Sequence, residues 1–219
     1  MILDRAKITG VVLAGGRGRR MGGEDKGLIP FRGRPLAVYA LEALEAVAGR
    51  IVVNANRNRE AYARLGYPVV ADRTDSFDGP LAGLLSAMRA AETPYVLTVP
   101  CDAPLAGGAV LERLLAVSRK TSAELCVAHD GARLHPVFLL AERRLADDLE
   151  SYLAEGQRKL ETWLYRHQLA LADFSDRPEV FANINTREEL AGWETTSPSE
   201  QPKDAAGSLP TRDAGKSIR

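Results

Sequence analysis

The 219-residue sequence lacks several features that mark particular classes of protein. Its only cysteines, Cys101 and Cys126, stand alone, which excludes a disulfide framework or a cysteine-rich metal site and is typical of the reducing cytoplasm. No apolar run approaches the ~20 residues that span a bilayer, and the N-terminus lacks the pattern of a secretion signal. Lys plus Arg and Asp plus Glu both total 29, so no net charge favours nucleic acid or an anionic membrane. We therefore expect a cytoplasmic protein that acts on small molecules.

Basic charge is concentrated in one glycine-rich segment. An apolar run, Ile8 to Leu13, predicts a buried strand, and a loop rich in glycine and arginine follows it as far as Lys26. Glycines let backbone N–H groups turn towards a ligand, and arginine and lysine neutralise phosphate charge. The segment therefore predicts a nucleoside triphosphate site. The alternative is a loop whose arginines are merely solvated.

Two known glycine motifs do not fit this segment. The dinucleotide fingerprint requires a third glycine three residues after Gly18, where the sequence has Met21. The Walker pattern requires Ser or Thr directly after its lysine, whereas Gly27 follows Lys26. The loop is therefore of another kind.

Strand and helix signals alternate along the first 120 residues. Short β-branched runs predict strands at 8–13, 50–54, 68–71 and 95–99, and helical spacing predicts helices at 35–47, 59–65, 80–91 and 109–119. This alternation predicts a three-layer, Rossmann-like α/β fold with a mostly parallel sheet and helices on both faces. Ligands of such sheets bind at the carboxyl ends of the strands.

The pattern changes after residue 120. Runs at 124–129 and 134–141 flank Asp130-Gly131 and predict a β-hairpin, followed by helices at 142–154 and 158–167 and a strand at 169–174. We expect a single domain at 1–193, in which 1–119 binds nucleotide and 120–193 binds a second substrate. The polar composition of 194–219 predicts a disordered tail.

Several motifs, in order, carry a family resemblance. Leu-Ala-Gly-Gly-x-Gly-x-Arg-Met-Gly-Gly-x-Asp-Lys-Gly-Leu at 13–28 resembles the signature of the molybdenum cofactor guanylyltransferases, a branch of the nucleotidyltransferases. The likeness spans about 7–193. It continues through Val-Val-Asn-Ala-Asn-Arg at 52–57, Gly-Pro-Leu-Ala-Gly-Leu at 79–84, Pro-Cys-Asp-Ala-Pro at 100–104, His-Asp-Gly at 129–131, His-Pro at 135–136 and Asn-Ile-Asn-Thr-Arg-Glu-Glu-Leu at 183–190.

The resemblance implies a Mg²⁺-dependent transfer of GMP from GTP to the terminal phosphate of molybdopterin, with release of pyrophosphate. Partners would include molybdopterin or molybdenum cofactor, other cofactor-biosynthesis proteins and recipient molybdoenzymes. Related cytidylyl-transferring enzymes usually have Ala-Ala-Gly where this chain has Ala14-Gly15-Gly16, which favours guanosine. Cytidylyl transfer, nucleotide transfer to a sugar phosphate and a non-catalytic cofactor-binding adaptor remain as alternatives.

Three residues are the expected catalytic groups. Asp102 follows a predicted strand and matches the metal-binding aspartate of the family, although Asp-Ala-Pro is also good turn chemistry. We expect Lys26 to contact phosphate and Arg20 to stabilise the departing pyrophosphate. Asp25 is expected to orient Lys26.

The remaining expected contacts divide between the two substrates. Base and ribose recognition is assigned to backbone and side-chain groups of Leu13, Ala14, Gly15, Gly16, Asn54, Asp72, Gly79, Pro80 and Leu81. The sequence leaves open which of Asn54 and Asp72 meets the base. The alternative for either residue is a structural role, in which it caps a helix or closes a turn at its strand end. Asn183 and Asn185, alternate residues of a predicted strand, are expected to meet molybdopterin, and Asn185 is also placed beside Asp102 at the metal, with a helix N-cap as its alternative role. Thr186 and Glu189 predict a capping box on the last helix.

Overall fold

A seven-stranded mixed sheet forms the centre of the protein in this computed structural model, which describes residues 4–14, 24–72 and 79–195. The strands are β1 Ile8–Leu13, β4 Arg50–Asn54, β5 Val69–Val70, β6 Tyr95–Pro100, β7 Leu125–His129, β8 Leu134–Glu142 and β9 Leu169–Asp173. Their spatial order is β5-β4-β1-β6-β8-β7-β9. Only β8 runs antiparallel to its neighbours, β6 and β7, so the predicted mostly parallel sheet is confirmed.

Helices cover both faces of this sheet, as predicted. They are α1 Leu36–Glu45, α2 Arg59–Ala63, α3 Pro80–Ala90, α4 Gly108–Lys120, α5 Ala146–Ala154, α6 Leu160–Leu164 and α7 Arg187–Thr195. Helices α1 and α4 pack into one apolar cluster, whereas α3, α5 and α6 pack into a second. Val12 belongs to the first cluster and Val11 to the second, because successive strand residues face opposite sides of a sheet.

A small hairpin near residue 30 was not predicted. Strands β2 (Pro30–Phe31) and β3 (Arg34–Pro35) pair antiparallel across Arg32 and Gly33, whose φ angles are 49° and 76°. Two consecutive positive φ values are typical of the tight turn that joins two strands. Pro35 therefore ends β3, and α1 begins one residue later than the sequence predicts.

The second half follows the predicted order with shifted boundaries. The hairpin β7–β8 is confirmed, but β8 extends to Glu142, and the 3₁₀ turn Arg143–Leu145 precedes α5. Helix α6 is shorter than predicted at both ends, because it begins only at Leu160 and a turn follows Leu164. The segment that carries Asn183 and Asn185 is not a strand, so that prediction is wrong. Helix α7 extends to Thr195, and the rest of the predicted tail lies outside the described residues.

Candidate functional site

Three parallel strands end side by side at one edge of the sheet. Leu13, the last residue of β1, pairs with Asn54 of β4 on one side and with Pro100 of β6 on the other. The Ala14 backbone N–H then donates to the Asn54 carbonyl oxygen at 2.8 Å. The structure thus confirms that Asn54 and the segment leading to Asp102 lie at the same edge, where α/β sheets bind ligands.

Lys26, Asp102 and Asn185 come together at this edge, although 159 positions separate the first from the last. The Lys26 Nζ donates to Asp102 Oδ2 at 3.0 Å and to Asn185 Oδ1 at 2.6 Å. The Asp102 backbone carbonyl accepts from the Ile184 N–H at 2.9 Å, which fixes the later segment against the end of β6. A carboxylate oxygen and an amide oxygen therefore converge on one positive charge.

This pair of oxygens suits a hard divalent cation. Mg²⁺ prefers oxygen ligands, takes one or two from protein and completes its coordination with phosphate oxygens and water. Within the described residues, no three His, Cys, Asp or Glu side chains are grouped as a metal site. Asp102 and Asn185 nevertheless bring two oxygens together, and both accept from the ammonium of Lys26.

The backbone before Lys26 is held by a buried carboxylate. Asp25 is 8% exposed, and it accepts from the Tyr62 hydroxyl through Oδ1 and from Asn58 Nδ2 through Oδ2 at 3.1 Å. The Asp25 carboxylate thus bonds to Tyr62 and Asn58, and it fixes the backbone from which the Lys26 side chain extends. A Cβ on Gly27 would lie 2.4 Å from the Tyr62 hydroxyl oxygen, so only glycine permits this packing.

Two weakly acidic groups beside the site are kept protonated. Burial, reinforced by the charges of Asp102 and Asp25, raises the pKa of the Cys101 thiol. Burial also raises the pKa of the Tyr62 hydroxyl, and the nearby Cys101 and its bond to Asp25 add to that shift. Cys101 is therefore poorly suited to act as a nucleophile, in keeping with the absence of a nucleophile motif in the sequence.

Asn54 and Asp72 form a second polar cluster at the ends of β4 and β5. Asn54 Nδ2 donates to Asp72 Oδ1 at 2.9 Å, and Asn56 Nδ2 donates to Asp72 Oδ2 at 2.7 Å. The Asn56 Oδ1 in turn accepts from the Asp72 backbone N–H at 2.8 Å. The carboxylate of Asp72 is therefore oriented before any ligand arrives, and its remaining lone pairs are available to donors of a base or ribose.

The start of α3 packs directly against this cluster. Gly79 has a φ of 71°, a conformation that favours glycine, and Pro80 follows as the first helical residue. A Cβ on Gly83 would lie 2.5 Å from Asn54 Oδ1, so glycine allows the helix to approach the asparagine. Leu81 is fully buried, and its side chain belongs to the second apolar cluster.

Other expected contacts are placed less directly. Asn183 is exposed, and its carbonyl accepts from Asn185 Nδ2 at 3.4 Å. Leu13 is half-buried and Ala14 is buried. Gly15, Gly16 and Arg20 lie outside the described residues. The predicted capping box is confirmed, because Glu189 N–H donates to Thr186 Oγ1 at 3.1 Å and Thr186 N–H donates to Glu189 Oε2 at 3.2 Å.

The structure adds three supporting residues that sequence reasoning missed: Asn56, Asn58 and Tyr62. The asparagines alternate in Asn54-Ala-Asn56-Arg-Asn58, directly after a predicted strand. That spacing at a strand end was a signal for a polar cluster. Tyr62 carried no comparable signal, because an aromatic residue on a short helix is most often a core residue.

Comparison with known proteins identifies the family. A profile of the MobA-like NTP transferase domain matches residues 10–171. A molybdenum cofactor guanylyltransferase from Shewanella sediminis is 43% identical over 183 residues, which cover 84% of this chain and 93% of the relative. Its counterpart from Shewanella loihica is 42% identical with the same coverage. This chain belongs to the molybdenum cofactor guanylyltransferase family.

Membership in this family makes the chain a nucleotidyltransferase and disfavours the cytidylyl and adaptor alternatives. Among solved structures, molybdopterin-guanine dinucleotide biosynthesis protein A from Archaeoglobus fulgidus has a TM-score of 0.71 at 24% identity and covers 85% of this chain and 96% of its own. That likeness shows that the guanylyltransferase has the nucleotidyltransferase fold. No helix among its described residues is long and apolar enough to cross a membrane.

Proposed function

We propose that this guanylyltransferase moves GMP from GTP to the terminal phosphate of molybdopterin and releases pyrophosphate. The observation that carries the proposal is the meeting of Lys26, Asp102 and Asn185 beside the oriented Asn54–Asp72 pair. One cluster has the chemistry to hold phosphates and a metal, and the other has the chemistry to read a base or ribose. One lies at the end of β6 and the other at the ends of β4 and β5, with β1 between them, so both face the same edge of the sheet.

The reaction needs no covalent enzyme intermediate. A phosphate oxygen of molybdopterin forms a bond to the α-phosphorus of GTP, and the bond from that phosphorus to the oxygen bridging to the β-phosphate breaks. The electron pair leaves with pyrophosphate. We assign Lys26 to the phosphate chain, which it would bind as a point charge, and Arg20 to the leaving pyrophosphate.

We propose Mg²⁺ as the cation held by Asp102 and Asn185. When bound, it would neutralise charge on the phosphate oxygens in the transition state. The two proposed ligands lie far apart in the sequence, and the Ile184–Asp102 backbone bond holds their segments together.

The second half of the domain is proposed to bind molybdopterin. Exposed Asn183 precedes the site residue Asn185 and is the side chain that we assign to the pterin. Residues 120–193 would thus form the wall opposite the nucleotide-binding half. We place the reaction in the cytoplasm, which suits the two free thiols, and expect product to pass to molybdoenzymes.

A nucleotide panel tests this function. The protein is incubated with Mg²⁺ and molybdopterin and with GTP, CTP, ATP or UTP in separate reactions, and pyrophosphate release is measured. We expect release with GTP well above that with the other three nucleotides. Equal rates with CTP would contradict guanylyl transfer, and release without molybdopterin would indicate hydrolysis instead.

A further inference from the structure

Arg57 contains a buried donor that the fold does not explain. The side chain is half-buried, and its Nη2 is enclosed with no hydrogen-bond partner among the residues described. An unpaired buried donor on a charged group is costly, and native proteins seldom retain one without a reason such as a bound ion or ligand.

The residues on either side of Arg57 are hydrogen-bonded to two different carboxylates, Asp72 and Asp25. Asn56, directly before it, is bonded to Asp72, and Asn58, directly after it, is bonded to Asp25. Asn58 has a φ of 48°, so the chain turns sharply there into α2. The backbone of Arg57 is therefore fixed at the sheet edge, between the Asn54–Asp72 cluster and the segment that carries Asp25 and Lys26.

A purely structural role, in which Arg57 neutralises Asp25, explains less. The oxygens of Asp25 already accept from Tyr62 and Asn58. The positive charge of Arg57 opposes the rise in the pKa of Tyr62, yet no hydrogen bond joins the enclosed Nη2 to this cluster. Proximity without a hydrogen bond leaves the donor of Arg57 unused by its neighbours.

We propose that Arg57 binds phosphate oxygens of a substrate, and that its half-buried side chain shifts on binding so that the enclosed Nη2 gains the partner it lacks. Arginine suits the task because its planar donors match phosphate geometry. The phosphate has two sources in the proposed reaction on which this inference rests: the chain of GTP and the terminal phosphate of molybdopterin.

Binding of guanosine, GMP and GTP to three variants separates these possibilities. Arg57→Met removes the charge at similar length, Arg57→Lys keeps a charge, and Arg59→Met removes an exposed charge two residues away as a control. Calorimetry gives the affinities, and pyrophosphate release at saturating GTP gives the KM for molybdopterin. Thermal unfolding of each variant, without ligand, reports stability.

If Arg57 binds GTP, Arg57→Met weakens GTP about tenfold or more relative to guanosine, the size expected for one charge-assisted contact. If it binds the molybdopterin phosphate, that ratio is unchanged and the KM for molybdopterin rises by a similar factor. Arg57→Lys lies between wild type and Arg57→Met, and Arg59→Met matches wild type.

The inference would be overturned if Arg57→Met kept both the wild-type ratio of GTP to guanosine affinity and the wild-type KM for molybdopterin. An equal loss for guanosine and GTP with a lowered melting temperature, which is the mark of a structural residue, would overturn it too. In either case guanylyl transfer by the wild type would still stand. A wild-type protein that neither binds GTP nor releases pyrophosphate would overturn the proposed function, and this inference with it.

Discussion

Gly83→Ala should disturb the cluster of Asn54 and Asp72 and leave the cluster of Lys26, Asp102 and Asn185 unchanged. The added Cβ would lie 2.5 Å from Asn54 Oδ1 and 3.1 Å from Leu13 Cδ2, whereas ordinary contacts begin near 3.4 Å. Asn54 is 2% exposed and cannot swing into solvent. Its amide must therefore move by about 1 Å, away from its 2.9 Å bond to Asp72.

The expected cost follows from two opposing effects. A weakened bond between two partly buried groups costs about 1–3 kcal/mol, and overpacking a tight contact costs a similar amount. Alanine gains only about 1 kcal/mol over glycine inside a helix. We therefore expect Gly83→Ala to lower the free energy of unfolding by about 2–3 kcal/mol and to weaken guanosine and GTP by the same factor.

Equilibrium urea unfolding and calorimetry with guanosine and GTP measure both effects. The matched control is Gly192→Ala in α7, where a Cβ would meet nothing within 4 Å. This control should be as stable as wild type or slightly more so, with unchanged affinities. A Gly83→Ala protein of wild-type stability and guanosine affinity would refute the packing argument. A loss of affinity for GTP without a loss for guanosine would indicate that Asn54 contacts the phosphates rather than the base or ribose.

Three further changes test the site and its surroundings. Asp102→Asn should keep the fold and most GTP affinity yet lose most pyrophosphate release, and near-wild-type rates across Mg²⁺ concentrations would mark Asp102 as structural. Lys26→Ala should weaken GTP about tenfold or more relative to guanosine by calorimetry, and an unchanged ratio would contradict its phosphate role. The backbone N–H groups of Arg133 and Ala132 hold the pKa of Asp130 well below its usual range. This folded-state pKa lies below the unfolded value, so the stabilisation is present above about pH 4 and is lost as the pH falls below it. Urea unfolding against pH should therefore show a flatter acid limb for Asp130→Asn, and an identical limb would exclude this linkage.

Local patterns predicted the strands that form the site edge. Continuous β-branched or apolar runs correctly bounded β1 at 8–13 and β4 at 50–54, because buried parallel strands show little alternation. The hairpin β2–β3 escaped prediction because each strand has two residues, both contain a proline, and its turn begins with Arg32 at positive φ. Arginine carries no signal for that conformation.

The sequence predicted the site residues that directly follow individual strands, but not the contacts that depend on tertiary packing. Asn54 and Asp102 were placed because carboxyl ends of parallel strands meet at one edge. Asp25 was expected to orient Lys26, but its partners Tyr62 and Asn58 could not be predicted because they reach it through tertiary packing. Asn185 was expected in the site because it alternates with Asn183 in a predicted strand, but the segment is not a strand and its contact with Lys26 depends on how that segment docks.

That docking gives the unpredicted hairpin a consequence for the site. Ile184 is 1% exposed and packs with Ile29, Phe31 and Leu36, which lie in or beside the hairpin. The Ile184 backbone N–H donates to the Asp102 carbonyl, and the next residue, Asn185, accepts from Lys26. The apolar pocket at the hairpin thus sets the position of Asn185 relative to Asp102. Loosening that pocket would separate the two proposed metal ligands, whereas the Asn54–Asp72 cluster depends on β4, β5 and α3 and would keep its geometry.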